Sequence, residues 1–205
     1  METRIGIAKD PIFNTRNILI VAVIVSAVTG GNLWYHRGDP PVGYARYTGF
    51  GLTLDYSLQK TFQVEGFGWE PTESGGSIQV ARQGMGLDLY GVIWGTPENM
   101  PTNMRSLKGS LDYIFGIIGM SGTTITDRGP HISMTKDGHD MIYQTWSLME
   151  SGFAIPGIMG TWYCEDAGKY FQLYLIYLPD PENPTVDPQE LEQKWLGYLD
   201  QLTCQ

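Results

Sequence analysis

The chain has 205 residues, of which 42% are hydrophobic, 12% aromatic and 17% charged. This length fits one domain with an appendage but not two full domains, and this composition excludes an intrinsically disordered chain. The formal net charge of −9 argues against non-specific binding to nucleic acid, because phosphates attract basic surfaces. We therefore expect one folded domain and no nucleic-acid partner.

The first feature along the chain is a segment without charged side chains, from Asn17 to Tyr35. As a helix it would span about 28 Å, close to the ~30 Å hydrocarbon layer of a bilayer. Basic residues precede it, which favours a cytoplasmic N-terminus. We predict a cytoplasmic segment over residues 1–16 and one transmembrane anchor over residues 17–35, with the domain on the periplasmic side of the cell (inner) membrane. The expected anchor residues are Ile18, Leu19, Ile20, Val21, Val23, Ile24, Val25, Trp34 and Tyr35.

Two other interpretations of this segment remain open. A cleaved signal peptide also has a basic start and an apolar stretch, and Val25-Ser26-Ala27 resembles a small-residue cleavage site. A buried core helix is the second alternative, because the strictly apolar run covers only Ile18 to Val28. No polar stripe appears at helical spacing, which favours the membrane helix over the core helix.

The charge is divided unevenly along the chain. Residues 1–36 carry three bases and two acids, so residues 37–205 carry a formal charge of −10. Anionic lipid headgroups repel a domain of that charge. We expect it to stand away from the bilayer, or to meet a basic or membrane-embedded partner.

A linker over residues 36–43 contains Pro40-Pro41 and precedes a domain that we predict over residues 44–205. Apolar alternation bounded by Gly clusters predicts strands through most of this domain. In chain order they are Tyr44–Tyr47, Leu52–Tyr56, Thr61–Phe67, Ser77–Arg82, Leu87–Trp94, Thr123–Asp127, Ile132–Thr135, Met141–Met149, Ile158–Glu165 and Tyr170–Leu178.

Two amphipathic helices complete the predicted domain. Apolar residues over positions 104–118 form one stripe at helical spacing, and Thr102 or Asn103 would cap the start of that helix. Near the C-terminus, Asp187-Pro188-Gln189-Glu190 has the order of an N-cap, a proline at the first helical position and an N3 glutamate. Two helices that cover a mostly antiparallel sheet give an α+β sandwich.

The two cysteines, Cys164 and Cys204, fit an oxidising compartment. Cys164 falls in a predicted central strand and Cys204 in the last predicted helical turn. If that helix covers the sheet, the two thiols meet, and a disulfide would stabilise the domain by about 2–4 kcal/mol. Two separate buried thiols are the alternative.

Motifs for catalysis, cofactors or metals are weak throughout the sequence. His139, Asp137 and Asp140 offer the ligand types of a cation site, but Asp137 precedes a glycine and is better explained as part of a turn. The paired glycines lack the remaining glycine and the strand-to-helix setting of a dinucleotide site.

A hydrolase triad would have to be assembled from Ser121, His131 and Asp127, without a nucleophile motif around the serine. We therefore expect no catalytic residues, no cofactor and no metal.

Residues Ser151–Gly160 are rich in glycine and apolar side chains. We interpret them as a loop that interrupts two strands. An apolar loop is costly in water unless something covers it, so a partner contact or the rim of a hydrophobic ligand site is one interpretation and a crossover packed in the core is the other. The candidate interface residues are Phe153, Ile155, Ile158 and Met159.

The domain opens with Gly-Phe-Gly-Leu-Thr-Leu-Asp-Tyr at Gly49–Tyr56, followed by strands, one helix, a long hairpin through Tyr143 and Tyr163, and a C-terminal helix. This order resembles the PsbP-like family, extrinsic accessory proteins of photosynthetic membranes, over roughly residues 44–205. The resemblance implies a PsbP-like sandwich and a non-catalytic binding or assembly module on the outer face of an energy-converting membrane.

These observations favour a single-pass accessory subunit that docks on an integral-membrane protein complex and enters the lipid bilayer through its N-terminal helix. A photosynthetic or electron-transfer assembly is the favoured kind of complex. The alternatives are an exported binding module for an apolar small molecule or lipid, and a hydrolase with an unrecognised site.

Overall fold

The computed structural model describes residues 39–65, 71–81, 87–120, 123–150, 153–178 and 186–205. The predicted anchor and the segment before it lie outside these ranges. Within them, no helix combines the length and the apolar character that crossing a bilayer requires.

The described ranges contain strands and two α-helices, which confirms the predicted α+β class. The strands are β1 (Tyr44–Gly49), β2 (Leu52–Ser57), β3 (Thr61–Glu65), β4 (Gly75–Ala81), β5 (Leu87–Gly95), β6 (Thr124–Thr126), β7 (Ile132–Lys136), β8 (His139–Glu150), β9 (Phe153–Cys164), β10 (Lys169–Leu178) and β11 (Leu202–Cys204). The helices are α1 (Leu107–Met120) and α2 (Pro188–Leu199), and two 3₁₀ turns at Pro97–Asn99 and Thr102–Met104 precede α1.

Two antiparallel sheets build the domain. The large sheet has the order β3-β4-β5-β10-β9-β8-β6, and β7 also pairs with β8. The small sheet has the order β1-β2-β11. Because β11 follows α2 and pairs with β2, the two ends of the domain meet in the small sheet.

The hairpin of β8 and β9 corrects the interpretation of Ser151–Gly160 as a loop. Pairing begins at Glu150 with Phe153 and runs to Met141 with Trp162, so most of that segment is strand. A strand that is buried on both faces does not alternate between apolar and polar residues. An apolar segment that contains glycine and proline therefore cannot be distinguished from a packed loop by its pattern.

The two helices lie on opposite faces of the large sheet. Trp195 of α2 packs beside Gly160, and Ser110 of α1 places its Oγ 2.8 Å from Oγ1 of the neighbouring Thr161. Since consecutive strand residues point to opposite faces, the layers are α1, the large sheet, and then α2 with the small sheet.

Of the two predicted helix caps, the structure confirms the second and shows that the first is wrong. The backbone N–H of Gln189 donates to Asp187 Oδ1 at 2.9 Å, as the N-cap prediction requires. The first helix is capped by Ser106, whose Oγ accepts from Gly109 N at 3.0 Å, because Thr102 is part of a 3₁₀ turn.

The small sheet is fastened to the large sheet through the β1–β2 turn. Phe50 has a φ of +53° and stacks on Trp94 with ring centroids 4.7 Å apart. Lys169 Nζ donates to the Phe50 carbonyl at 2.9 Å. This turn therefore positions the outer face of the small sheet, where the candidate site lies.

Candidate docking cleft and the disulfide beside it

The outer face of the small sheet forms a cleft of about 580 Å³, which we call the small-sheet cleft. Strand alternation sends Leu52 and Leu54 of β2 into the core and leaves Thr53 and Asp55 on the outer face. The lining of the cleft includes Arg46, Thr48, Thr53, Asp55, Asp200 and Cys204. Hydroxyls and charged groups thus lie in the cleft beside glycines, glutamines and Leu52.

An ion pair crosses the small sheet inside this cleft. Arg46 Nε and Nη2 donate to the two carboxylate oxygens of Asp55, each at 2.7 Å. The side chains are only 20% and 16% exposed. The hydrogen bond to Asp55 raises the pKa of Arg46 further above its ordinary value, and Asp39 adds to the increase. The guanidinium is therefore fixed in place by a matched, two-bonded partner.

The cleft also has a negative balance of charge. Arg46 is neutralised by Asp55, and Asp200 adds a further carboxylate to the lining. The hydroxyls of Thr48 and Thr53 lie 3.3 Å apart and offer hydrogen bonds on the same face. Such a surface suits a partner segment that carries a basic side chain and exposed backbone groups.

Two apolar residues are exposed at the opposite end of β1 and β2. Val42 is fully exposed and Leu58 is 65% exposed. The N–H of Leu58 donates to the carbonyl of Gly43 at 3.0 Å, which holds the two side chains at one end of the hairpin. We call Val42 and Leu58 the base patch, because the predicted linker enters the domain there.

The predicted disulfide joins Cys164 of β9 to Cys204, over a separation of 40 residues. Cys164 is fully buried. The expectation that Cys204 lies in a helical turn is wrong, because α2 ends at Leu199 and Cys204 belongs to β11. The bond therefore ties the small sheet directly to the large sheet.

His139 lies against this disulfide, a placement that no local motif in the sequence indicates. Its Nδ1 is 2.6 Å from Glu165 Oε2, and its Nε2 is 3.5 Å from Cys204 Sγ. Asp137, the neighbouring candidate for a cation ligand, pairs with Lys136 Nζ at 2.8 Å. The neighbours of His139 are thus Glu165 and Cys204, which lie 26 and 65 positions away in the chain.

A second polar cluster lies under α2. Tyr90 and Tyr198 stack at 3.8 Å, Lys60 Nζ lies over both rings, and Tyr198 OH donates to Asp88 Oδ2 at 3.1 Å. Burial, followed by the nearby charge of Asp88, raises the pKa of Tyr198 well above its ordinary value. This cluster keeps α2 on the sheet through a neutral phenol.

The candidate interface residues lie in β9, between β8 and β10. Ile158 and Met159 are 0% and 1% exposed, so the interpretation of these two as surface contacts is wrong. Ile155 is half-buried, and Phe153 is the first residue of the strand. Ile158 and Met159 pair with β8 on one side and with β10 on the other, which places them at the centre of the large sheet and explains their burial.

The triad of the hydrolase alternative consists of Ser121, His131 and Asp127. Ser121 lies outside the described ranges, and Asp127 and His131 are both exposed.

Comparisons with known proteins show the fold. No family model and no curated protein matches the chain. Among solved structures, the chain is similar to the solution structure of cyanobacterial PsbP (CyanoP) from Synechocystis sp. PCC 6803. The sequences are 11% identical, the TM-score is 0.56, and the match covers 85% of this chain and 100% of that chain. The chain therefore has a PsbP-like fold, as its order of elements predicted.

Proposed function

We propose that the chain is a non-catalytic, membrane-anchored accessory subunit that docks on the outer face of an integral-membrane protein complex of photosynthesis or electron transfer. The observation that carries this proposal is the PsbP-like fold, which it shares with a cyanobacterial protein named PsbP. The proposed anchor is the apolar segment at residues 17–35.

The position of the base patch supports docking close to the membrane. The linker of residues 36–43 reaches at most about 28 Å when extended, and Val42 and Leu58 lie where this linker joins the domain. Exposed apolar side chains at that place suit a contact with a membrane-embedded protein.

The charge of the domain favours a protein partner over the lipid surface. A formal charge of −10 on residues 37–205 opposes binding to anionic headgroups, whereas a basic protein surface would attract it. The small-sheet cleft, with Asp200 beside the Arg46–Asp55 pair, offers a second contact for such a partner.

The alternative of a lipid-binding module has less support. Its expected pocket used the segment from Phe153 to Met159, which is strand β9 with Ile158 and Met159 inside the core. The lining of the small-sheet cleft includes charged groups and hydroxyls, and an apolar ligand would have to bury these groups at a cost.

The proposal is tested by purifying the tagged full chain from its native membrane in mild detergent. We expect stoichiometric membrane-protein partners with the wild type and a several-fold loss of them with Leu58→Asp. Ile132→Asp, a change at an apolar residue of β7 that is 41% exposed, is the matched control and should retain the partners. Recovery of the wild type only as a free monomer would contradict docking.

A further inference from the structure

We propose that Cys164, Cys204 and His139 become a zinc-binding site when a dithiol reductant opens the disulfide, with Glu165 as the residue that positions His139. The ligand atoms of the three residues already lie within 4.8 Å of one another. Two thiolates and one imidazole are a common ligand set for zinc, and water would take the fourth position.

The distances fit a tetrahedral zinc site with little movement. Zn–S bonds of about 2.3 Å and Zn–N bonds of about 2.0–2.1 Å at a tetrahedral angle place sulfur and nitrogen roughly 3.5 Å apart. His139 Nε2 and Cys204 Sγ lie 3.5 Å apart while the disulfide is closed. After reduction, only the two sulfurs need to separate, to about 3.8 Å in the same geometry.

Glu165 gives His139 the orientation that a metal ligand needs. A carboxylate can only accept, so the tautomer that donates from Nδ1 to Glu165 Oε2, 2.6 Å away, has its lone pair on Nε2, and Nε2 lies 3.5 Å from Cys204 Sγ. A closed disulfide has no proton to offer that lone pair. Metal-binding histidines almost always donate the other ring N–H to an acceptor, and a carboxylate is one of the usual acceptors.

The scaffold holds the three residues in place without the disulfide. Strand β11 pairs with β2 at three positions, Gln205 N donates to the carbonyl of Gly51 at 3.0 Å, and Leu202 is fully buried. Cys164 and His139 belong to the paired strands β9 and β8. Of the three residues, His139 and Cys204 are only half-buried, which gives an ion a route from solvent.

The chemistry of the switch balances with a dithiol as reductant. The disulfide takes up two electrons and two protons and becomes two thiols, while the dithiol loses the same electrons and protons and becomes a disulfide. Zinc binding then releases the two thiol protons to solvent as the thiolates coordinate the metal. In the reverse direction a small disulfide would take the two electrons back and become a dithiol, while the Cys164–Cys204 bond re-forms and the zinc is released.

The test uses the full chain in mild detergent, either oxidised or reduced with a phosphine and freed of excess reagent. Zinc is titrated against a chromophoric chelator, and cobalt is added separately for its tetrahedral and thiolate absorption bands. We expect one zinc per reduced chain and none per oxidised chain. His139→Ala should weaken binding by at least tenfold, and Glu165→Ala by about 10–100-fold.

His131→Ala is the matched control, because His131 is an exposed histidine outside the cluster, and it should bind zinc like the wild type. Circular dichroism of the reduced chain, with and without zinc, checks its folding. Zinc binding of equal affinity in His139→Ala, no binding by the reduced chain, or a reduced chain that stays unfolded in zinc would each overturn the proposal.

Discussion

Tyr47 shows how a single residue in the small sheet couples the fold to pH. Its ring packs against the core and its hydroxyl lies over Gly49, where an added Cβ would come within 2.6 Å of the oxygen. Burial, followed by the charge of Glu73, raises the pKa of Tyr47 to about 12. The folded state therefore keeps this phenol protonated after an unfolded chain, with a tyrosine pKa near 10, has lost its proton.

The sign of the pH effect follows from that difference. The contribution of neutral Tyr47 is fully present below about pH 10 and is lost as the pH rises towards 12. We predict that the free energy of unfolding of the wild type decreases over this window, and that Tyr47→Phe makes the decrease shallower. Urea titrations at several pH values measure it, and an unchanged slope in the variant would contradict the assignment.

At the scale of elements, the contact of α2 with β9 depends on a glycine. A Cβ at Gly160 would lie 2.5 Å from the Trp195 ring and 2.4 Å from Met141 Cε, and Trp195 is fully buried. We predict that Gly160→Ala destabilises the domain by about 1–3 kcal/mol, because the indole has no room to move.

Gly197→Ala is the matched control on the same helix. Gly197 is exposed, and a Cβ there meets nothing within 4 Å. Alanine should stabilise α2 by about 0.4–1 kcal/mol through its higher helix propensity. Chemical denaturation of both variants checks the pair, and equal effects would show that packing at Gly160 does not decide the stability.

The disulfide fastens one element, β11, to another, β9. We predict that Cys164→Ala with Cys204→Ala lowers the free energy of unfolding by about 2–4 kcal/mol and that a reductant no longer changes the stability of this double variant. Alkylation of the denatured, non-reduced wild type should label neither thiol. Labelling of both would contradict the bond.

At the scale of the whole molecule, the acidic domain and the apolar leader have opposite preferences for the bilayer. We predict that the full chain stays in the membrane fraction after an alkaline carbonate wash, whereas a chain lacking residues 1–36 is released. The physical reason is that only an embedded helix resists both high pH and charge repulsion. A mature N-terminus near Val28, found by N-terminal sequencing, would contradict the anchor.

Local signals predicted the elements whose residues interact with near neighbours. The N-cap at Asp187 and the turn at Asp137-Gly138, where φ is +52° and +88°, depend on a few consecutive residues. The stripe of α1 is likewise a local pattern, and Leu111 and Phe115 are buried as it requires. Their conformations follow from backbone preferences that sequence alone reveals.

The sequence by itself determined the α+β class, the two helices, the order of elements that the PsbP-like fold shares, and the acidic character of the domain. Tertiary structure decided that the apolar segment at Phe153–Met159 belongs to a strand and that Cys204 lies in a strand. It also decided that His139 contacts both Glu165 and the disulfide. The reason is that these placements depend on pairing between residues far apart in the chain. Glycines such as Gly160, which make room for distant tryptophans, give no local sign of their partners.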